Sequence, residues 1–191
     1  MTDFDKVKGY YSIFDDQNRL TRDNSGKMEF DMTMHILEKY LPEKGTVLDL
    51  GGGAGVYTFP LAKKGYQVTL ADLSERLIEQ AKEKVRAESI ENVVADVLNA
   101  IDLSQYPDNM FDIVLALGPF YHLTEESERQ KCTSEIRRVL KAGGVVIAGF
   151  IPYLSGSIAI VDRYFFAPNH VDASNLAYTF QSILDISSPG T

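Results

Sequence analysis

Apolar and polar positions along the chain change their period several times, and each change marks a new element. From Glu29 to Leu41 the apolar residues Met32, Ile36, Leu37, Tyr40 and Leu41 recur at helical spacing, and Pro42 and Gly45 close that helix. Residues 1–27 before it are polar and aromatic without a sustained period; Tyr10, Tyr11, Ile13 and Phe14 are the apolar points, and Asp23-Asn24-Ser25-Gly26 reads as a turn. Thr46 to Leu50 is a short apolar run that ends in glycines, the pattern of a strand buried on both faces. A short helix over Val56–Lys64 stops at Gly65, and Tyr66 to Ala71 is a second strand. Ser74 is placed to cap a helix running to Glu88, with Leu77, Ile78, Ala81 and Val85 on one face. Asn92 to Ala95 and Phe111 to Leu117 are the third and fourth strands. Thr124 starts a helix with Cys132, Ile136, Val139 and Leu140 inside; Gly143-Gly144 ends it, and Val145 to Phe150 is the fifth strand.

Short apolar strands alternating with helices predict an α/β fold, a doubly wound and mostly parallel sheet with helices on both faces. Such a sheet binds its ligand beyond the carboxyl ends of the strands. The residues just after each strand are therefore the ones to inspect.

The 191 residues fit one domain. Hydrophobic residues at 45% and charged residues at 24% are ordinary globular composition, which excludes disorder for the bulk of the chain. A net charge of −8 opposes phosphate backbones and anionic membranes, so neither nucleic acid nor membrane is an expected partner. The single cysteine, Cys132, excludes an internal disulfide and a cysteine-based metal site. No signal-peptide pattern opens the sequence and no run of ~18 apolar residues interrupts it, so the expectation is a soluble cytoplasmic protein.

The first strand runs into Asp49-Leu50-Gly51-Gly52-Gly53-Ala54-Gly55. Glycines there let the backbone turn sharply and let a ligand approach without interference from Cβ. The dinucleotide fingerprint G-x-G-x-x-G fails in both registers, because Val56 and Thr58 stand where glycine is required. A nicotinamide-dependent oxidoreductase is disfavoured accordingly, and the P-loop ending is absent. Asp72 closes the second strand, where a carboxylate is placed to accept from ribose hydroxyls. Asp96 closes the third, over the same crevice, where it could accept from an adenine amino group.

With these residues in place the sequence resembles the class I S-adenosylmethionine-dependent methyltransferases, of the small-molecule type. VLDLGGGAG (47–55) is similar to their first motif, VTLADLS (68–74) to the second and VVADVLN (93–99) to the third. FDIVLALGPFYHL (111–123) resembles the fourth, and LKAGGVVIAGF (140–150) the fifth-strand region, with Ala142 in place of the usual proline. The resemblance implies S-adenosylmethionine as cofactor. It implies that the backbone of Gly51, Gly52 and Gly53 approaches the methionine part and the sugar, with Asp49 orienting the turn. It places Asp72 on the ribose, Leu73 beside the adenine, Asp96 on the adenine amino group and the Val97 amide on a ring nitrogen. Leu117 and Gly118 would meet the methionine end. The resemblance further implies an N-terminal lid over the donor, to which Tyr11 and Arg19 would belong.

The acceptor is less legible. Methyltransferases of adenine or glutamine nitrogens usually carry Asn/Asp-Pro-Pro-Tyr/Phe after the fourth strand, whereas this chain has Gly118-Pro119-Phe120-Tyr121-His122. That departure points to a small molecule. His122 is the candidate general base, its ordinary pKa being ~6.5, and Tyr121 a candidate for the acceptor pocket. No acidic cluster follows the fourth strand, so no metal is expected.

The expected organisation is a lid segment over 1–28, a cofactor-binding core over 29–150, and a partial substrate-covering and C-terminal segment over 151–191. Only 41 residues follow Phe150, too few for the helix and strand pair with which the family fold closes. The sheet is therefore expected to be abbreviated, or the chain to be a fragment. Either leaves the fifth strand as an open edge and a route to a homodimer. The rival readings are a non-catalytic adenosyl-binding domain and a nucleic-acid methyltransferase.

Overall fold

The computed structural model describes Gly9 and residues 24–151. Helix α1 (Asn24–Tyr40) leads into β1 (Thr46–Leu50), α2 (Thr58–Lys63), β2 (Gln67–Asp72), α3 (Glu75–Ala87) and β3 (Val93–Val97). A longer connection then reaches β4 (Phe111–Ala116), a single 3₁₀ turn (Pro119–Tyr121), α4 (Glu126–Val139) and β5 (Leu140–Ala148). The strands form one sheet in the order β3-β2-β1-β4-β5, and every pairing is parallel. The doubly wound sheet expected from the alternation is therefore present.

Alternate side chains of the strands feed two separate cores. Val47, Val68, Leu70, Ile113 and Leu115 pack with Met34 and Leu37 of α1, Leu61 of α2 and Ile78 of α3. Leu48, Leu50, Ala71, Val114 and Ala116 pack on the opposite face with Cys132, Ile136 and Val139 of α4 and with Leu103 and Tyr106 of the β3–β4 connection. Near-continuous apolar strands are what a sheet covered on both sides needs. Ser74 caps α3 as its position predicted, its hydroxyl accepting from the Leu77 amide at 3.4 Å.

Three expectations need correction. Asn24, Ser25 and Gly26 are the first turn of α1 rather than a free turn; the polar residues that favour turns also favour helix starts. Of the apolar series in α1, Leu37 is buried, but Met32, Ile36 and Tyr40 remain exposed, and Met34 goes to the core instead. Third, Gly143-Gly144 does not end α4. The helix stops at Val139, Leu140 is already extended, and the glycines lie inside β5. There a two-residue step from Phe111 to Ile113 on β4 is met by a five-residue step from Leu140 to Val145. The surplus bulges outward, with Gly143 at φ +77°. Beside the bulge, Lys141 Nζ reaches Asp112 Oδ2 at 2.9 Å and the same carboxylate oxygen accepts from the Thr46 amide at 2.8 Å, tying together β5, β4 and β1.

Candidate functional site

The chain leaves β1 toward β2 and β3, then returns across it to β4, so the order in which strands are added reverses between β1 and β4 while all strands stay parallel. The crevice beyond their carboxyl ends is the place where open α/β sheets hold ligands. Two loops meet there. Gly51 has φ +71°, and a Cβ on it would stand 2.8 Å from Cδ of Pro119. A Cβ on Gly118 would stand 2.9 Å from the Gly51 carbonyl oxygen. The loops after β1 and β4 therefore touch backbone to backbone, a contact that side chains at either position would prise apart.

Asp49 supports the turn from beneath. It is buried, and its Oδ2 accepts from Thr58 Oγ1 at 2.6 Å, joining the strand to the first residue of α2. A Cβ on Gly52 would come within 2.6 Å of that same oxygen. Burial pushes the Asp49 pKa up to about 6; the Thr58 hydrogen bond opposes the rise and the charge of Asp72 adds to it.

Asp72 ties the turn to the next strand. Its Oδ2 accepts from the Gly53 amide at 2.9 Å and its Oδ1 from the Ser74 amide at 2.8 Å. On the neighbouring strand Asp96 is in register with Ala71, and Val97 with Asp72. Oδ2 of Asp96 accepts from the Tyr106 hydroxyl at 2.8 Å. The Leu98 amide donates to the Asp72 carbonyl at 3.0 Å. Successive amides of a strand alternate sides, so that of Val97 is directed away from β2. Leu73 is half-buried beside these groups in the sequence.

Beyond β4, Leu117 and Gly118 are half-buried. Phe120 stacks on Phe150 with centroids 5.3 Å apart. Tyr121 is exposed, and its ring lies 4.6 Å from that of His122. His122 is half-buried, and burial holds its pKa below the ordinary histidine value. Tyr11 and Arg19 lie outside the described residues. Among the described residues no three His, Cys, Asp or Glu side chains gather as they would around a metal ion. Cys132 is buried in the core, its thiol pushed up to about 11.

The structure thus brings the turn glycines, Asp49, Asp72, Asp96 and the loop after β4 to one end of the sheet. Sequence reasoning missed Thr58 and Tyr106, the partners of Asp49 and Asp96. A hydroxyl nine or ten residues from its carboxylate has no periodic signal, and only the loop geometry pairs them. Two carboxylates at the carboxyl ends of β2 and β3, beside a turn packed so closely that Gly51 and Gly52 have no room for a Cβ, form an acceptor set that fits an adenosyl group. A doubly wound domain with a nucleoside-type crevice is the class these features define.

Comparison with known proteins sharpens that class. Residues 47–144, just over half of the chain, match the family described as "Methyltransferase domain". The ubiquinone/menaquinone biosynthesis C-methyltransferase of Hydrogenovibrio crunogenus is 35% identical over 147 residues, covering 74% of this chain and 54% of that protein. The tRNA 5-carboxymethoxyuridine methyltransferase of Escherichia coli K12 is 30% identical over 114 residues, covering 58% and 42%. A solved SAM-dependent methyltransferase from Methanosarcina mazei superposes with a TM-score of 0.54 at 30% identity, covering 59% of this chain and 55% of that one. The chain belongs to the S-adenosylmethionine-dependent methyltransferase family, and S-adenosylmethionine is the cofactor its site takes. It spans about half the length of the curated relatives it matches.

Proposed function

We propose that this chain moves the methyl group of S-adenosylmethionine to a small-molecule acceptor by in-line displacement. The observation that carries the reading is the meeting of Gly51 with Gly118-Pro119, which sets the glycine turn of β1 directly against the loop where an acceptor would enter. The bound cofactor supplies a methyl group on a sulfonium, an electrophile that needs no further activation by the protein. The chain's contribution is placement. Asp72 would hold the ribose, Asp96 and the Val97 amide the adenine, and Gly51 to Gly53 with Leu117 and Gly118 the methionine end. Fixing the donor in this way can supply roughly 7–11 kcal/mol of the barrier through alignment alone. His122, kept neutral near pH 7 by its burial, would accept the proton of an acceptor that arrives protonated. Such a base contributes ~10²–10⁴-fold. Tyr121 would line the acceptor side, and Tyr11 and Arg19 would belong to a lid over the donor.

A small molecule is favoured over nucleic acid by the net charge of −8 and by Gly118 and Phe120, which replace the amide and second proline of the base-modifying motif. The quinone-biosynthesis relative supports the same reading, and the tRNA-modifying relative supports the alternative. We further propose a cytoplasmic location and a homodimer formed along the edge of β5, which among the described residues pairs only with β4. A monodisperse monomer by light scattering would remove the dimer from this reading.

The acceptor class is tested with methyl-tritiated S-adenosylmethionine and a cell extract divided into RNA, protein and small-metabolite fractions. Label in the small-metabolite fraction is expected. Label that precipitates with RNA and is lost on ribonuclease treatment would establish the alternative.

A further inference from the structure

We propose that Tyr106 is a positioning residue that sets the base preference of the cofactor site, by fixing Asp96 as a hydrogen-bond acceptor toward the purine. The inference rests on the adenosyl-binding reading above and deepens it.

Tyr106 sits in the β3–β4 connection, a segment bolted to α4. Arg138 donates to the carbonyls of Leu103 and Tyr106, both at 2.8 Å, and to Glu135 at 2.8 and 2.9 Å. Glu135 in turn accepts from the Leu103 amide at 2.7 Å. The buried Tyr106 ring is held edge-on by Phe111, with centroids 5.4 Å apart at 88°. Its hydroxyl lies 2.8 Å from Asp96 Oδ2, and a carboxylate oxygen only accepts. Tyr106 therefore donates and Asp96 accepts.

A carboxylate with one oxygen fixed in this way leaves the other as an acceptor only. An acceptor pairs with the exocyclic amino group of adenine and opposes the carbonyl oxygen of hypoxanthine, which leaves two acceptors face to face. Sites built around such a polar contact reject the mismatched analogue strongly, because their own polar group is left unpaired. Without the tyrosine hydroxyl the carboxylate is free to rotate, and the rejection weakens. The rigid chain from α4 through Arg138 and Tyr106 to Asp96 gives the β3–β4 connection a role in selecting the base.

The test is a double-mutant cycle read by calorimetry with two ligands, S-adenosylhomocysteine and its inosine analogue S-inosylhomocysteine. Wild type should prefer the adenosyl ligand. Tyr106→Phe should weaken that ligand about tenfold and leave the inosyl ligand unchanged, so that discrimination falls by the same factor. In an Asp96→Ala background the Tyr106→Phe change should have no further effect. Asp96→Asn, which leaves Tyr106 and its loop in place, gives a second reading. The hydroxyl still donates to the amide oxygen and turns the amide NH₂ toward the purine, so the preference should shift toward the inosyl ligand. Equal weakening of both ligands by Tyr106→Phe, or an undiminished adenosyl preference in Asp96→Asn, would overturn the inference while leaving the cofactor reading intact. Binding of neither ligand by folded wild type would overturn both.

Discussion

Replacing Asp49 by asparagine isolates the cost of the carboxylate that lies under the glycine turn. The group is buried and its pKa is pushed from 3.8 up to about 6, chiefly because burial disfavours its charged form. Between about pH 4 and pH 6 the folded protein holds a proton there that the unfolded chain has released. Stability from this group is therefore greatest at low pH, falls as pH rises through that window, and is flat above it. A shift of roughly two units corresponds to a loss of about 3 kcal/mol. Asparagine keeps an oxygen for the Thr58 hydroxyl but does not titrate. Carboxylates held below their usual range, such as Asp112 by the Thr46 amide and Lys141, and Glu135 by Arg138, push the profile the opposite way. They are present in both proteins and cancel in the difference. Urea denaturation at several pH values from 4 to 7.5 measures that difference. Relative to wild type, Asp49→Asn should gain about 2 kcal/mol between the ends of the range, most of it below pH 6, because at pH 4 the unfolded carboxyl is already more than half ionised. A difference that stays constant within about 0.5 kcal/mol would refute the reasoning and mean that the carboxylate is solvated or paired in the native state.

Gly52→Ala should destabilise the fold by about 1–3 kcal/mol and weaken cofactor binding, since its Cβ would lie 2.5 Å from Asp49 Cγ and 2.6 Å from Leu70 Cδ1; thermal unfolding and calorimetry check both. His122→Gln should lower kcat by ~10²–10⁴-fold with little change in the KM for the cofactor. In wild type the rate should rise with pH and level off below the ordinary histidine value, because burial holds the imidazole pKa down; an unchanged kcat in the variant would return His122 to a structural role. Cys132 should resist a disulfide-exchange reagent at pH 8 in the native protein and react at once in urea, its thiol being buried and pushed up to about 11.

Much of this organisation is legible in the sequence, for definite physical reasons. β1 and β4 are buried on both faces, so their runs are apolar except for Thr46 and Asp49 in β1 and Asp112 in β4, and their bounds follow to within a residue. Ser74 was readable because a cap is a local device. The boundary between α4 and β5 was not. Leu140 suits the inner face of a helix as well as a strand paired with Phe111, and Gly143-Gly144 ends a helix as readily as it forms a bulge. Local composition is the same in both cases, and only the ladder with β4 decides. The exposed Met32, Ile36 and Tyr40 of α1 carry a similar lesson, because helical spacing reveals an apolar stripe without saying whether the sheet meets it. In the candidate site, the aspartates were visible because each lies at or one residue before the carboxyl end of its strand. Thr58 and Tyr106 were invisible because tertiary folding alone brings them to their carboxylates.

The central claim is that the crevice at the ends of β1, β2 and β3 holds S-adenosylmethionine through Asp72. Calorimetric titration of the purified chain with S-adenosylmethionine, S-adenosylhomocysteine and NAD, repeated on Asp72→Ala, tests it most directly. The account predicts micromolar binding of both adenosyl ligands, its loss in the variant, and no response to NAD. Binding of NAD, or adenosyl binding that survives in a folded Asp72→Ala protein, would contradict it.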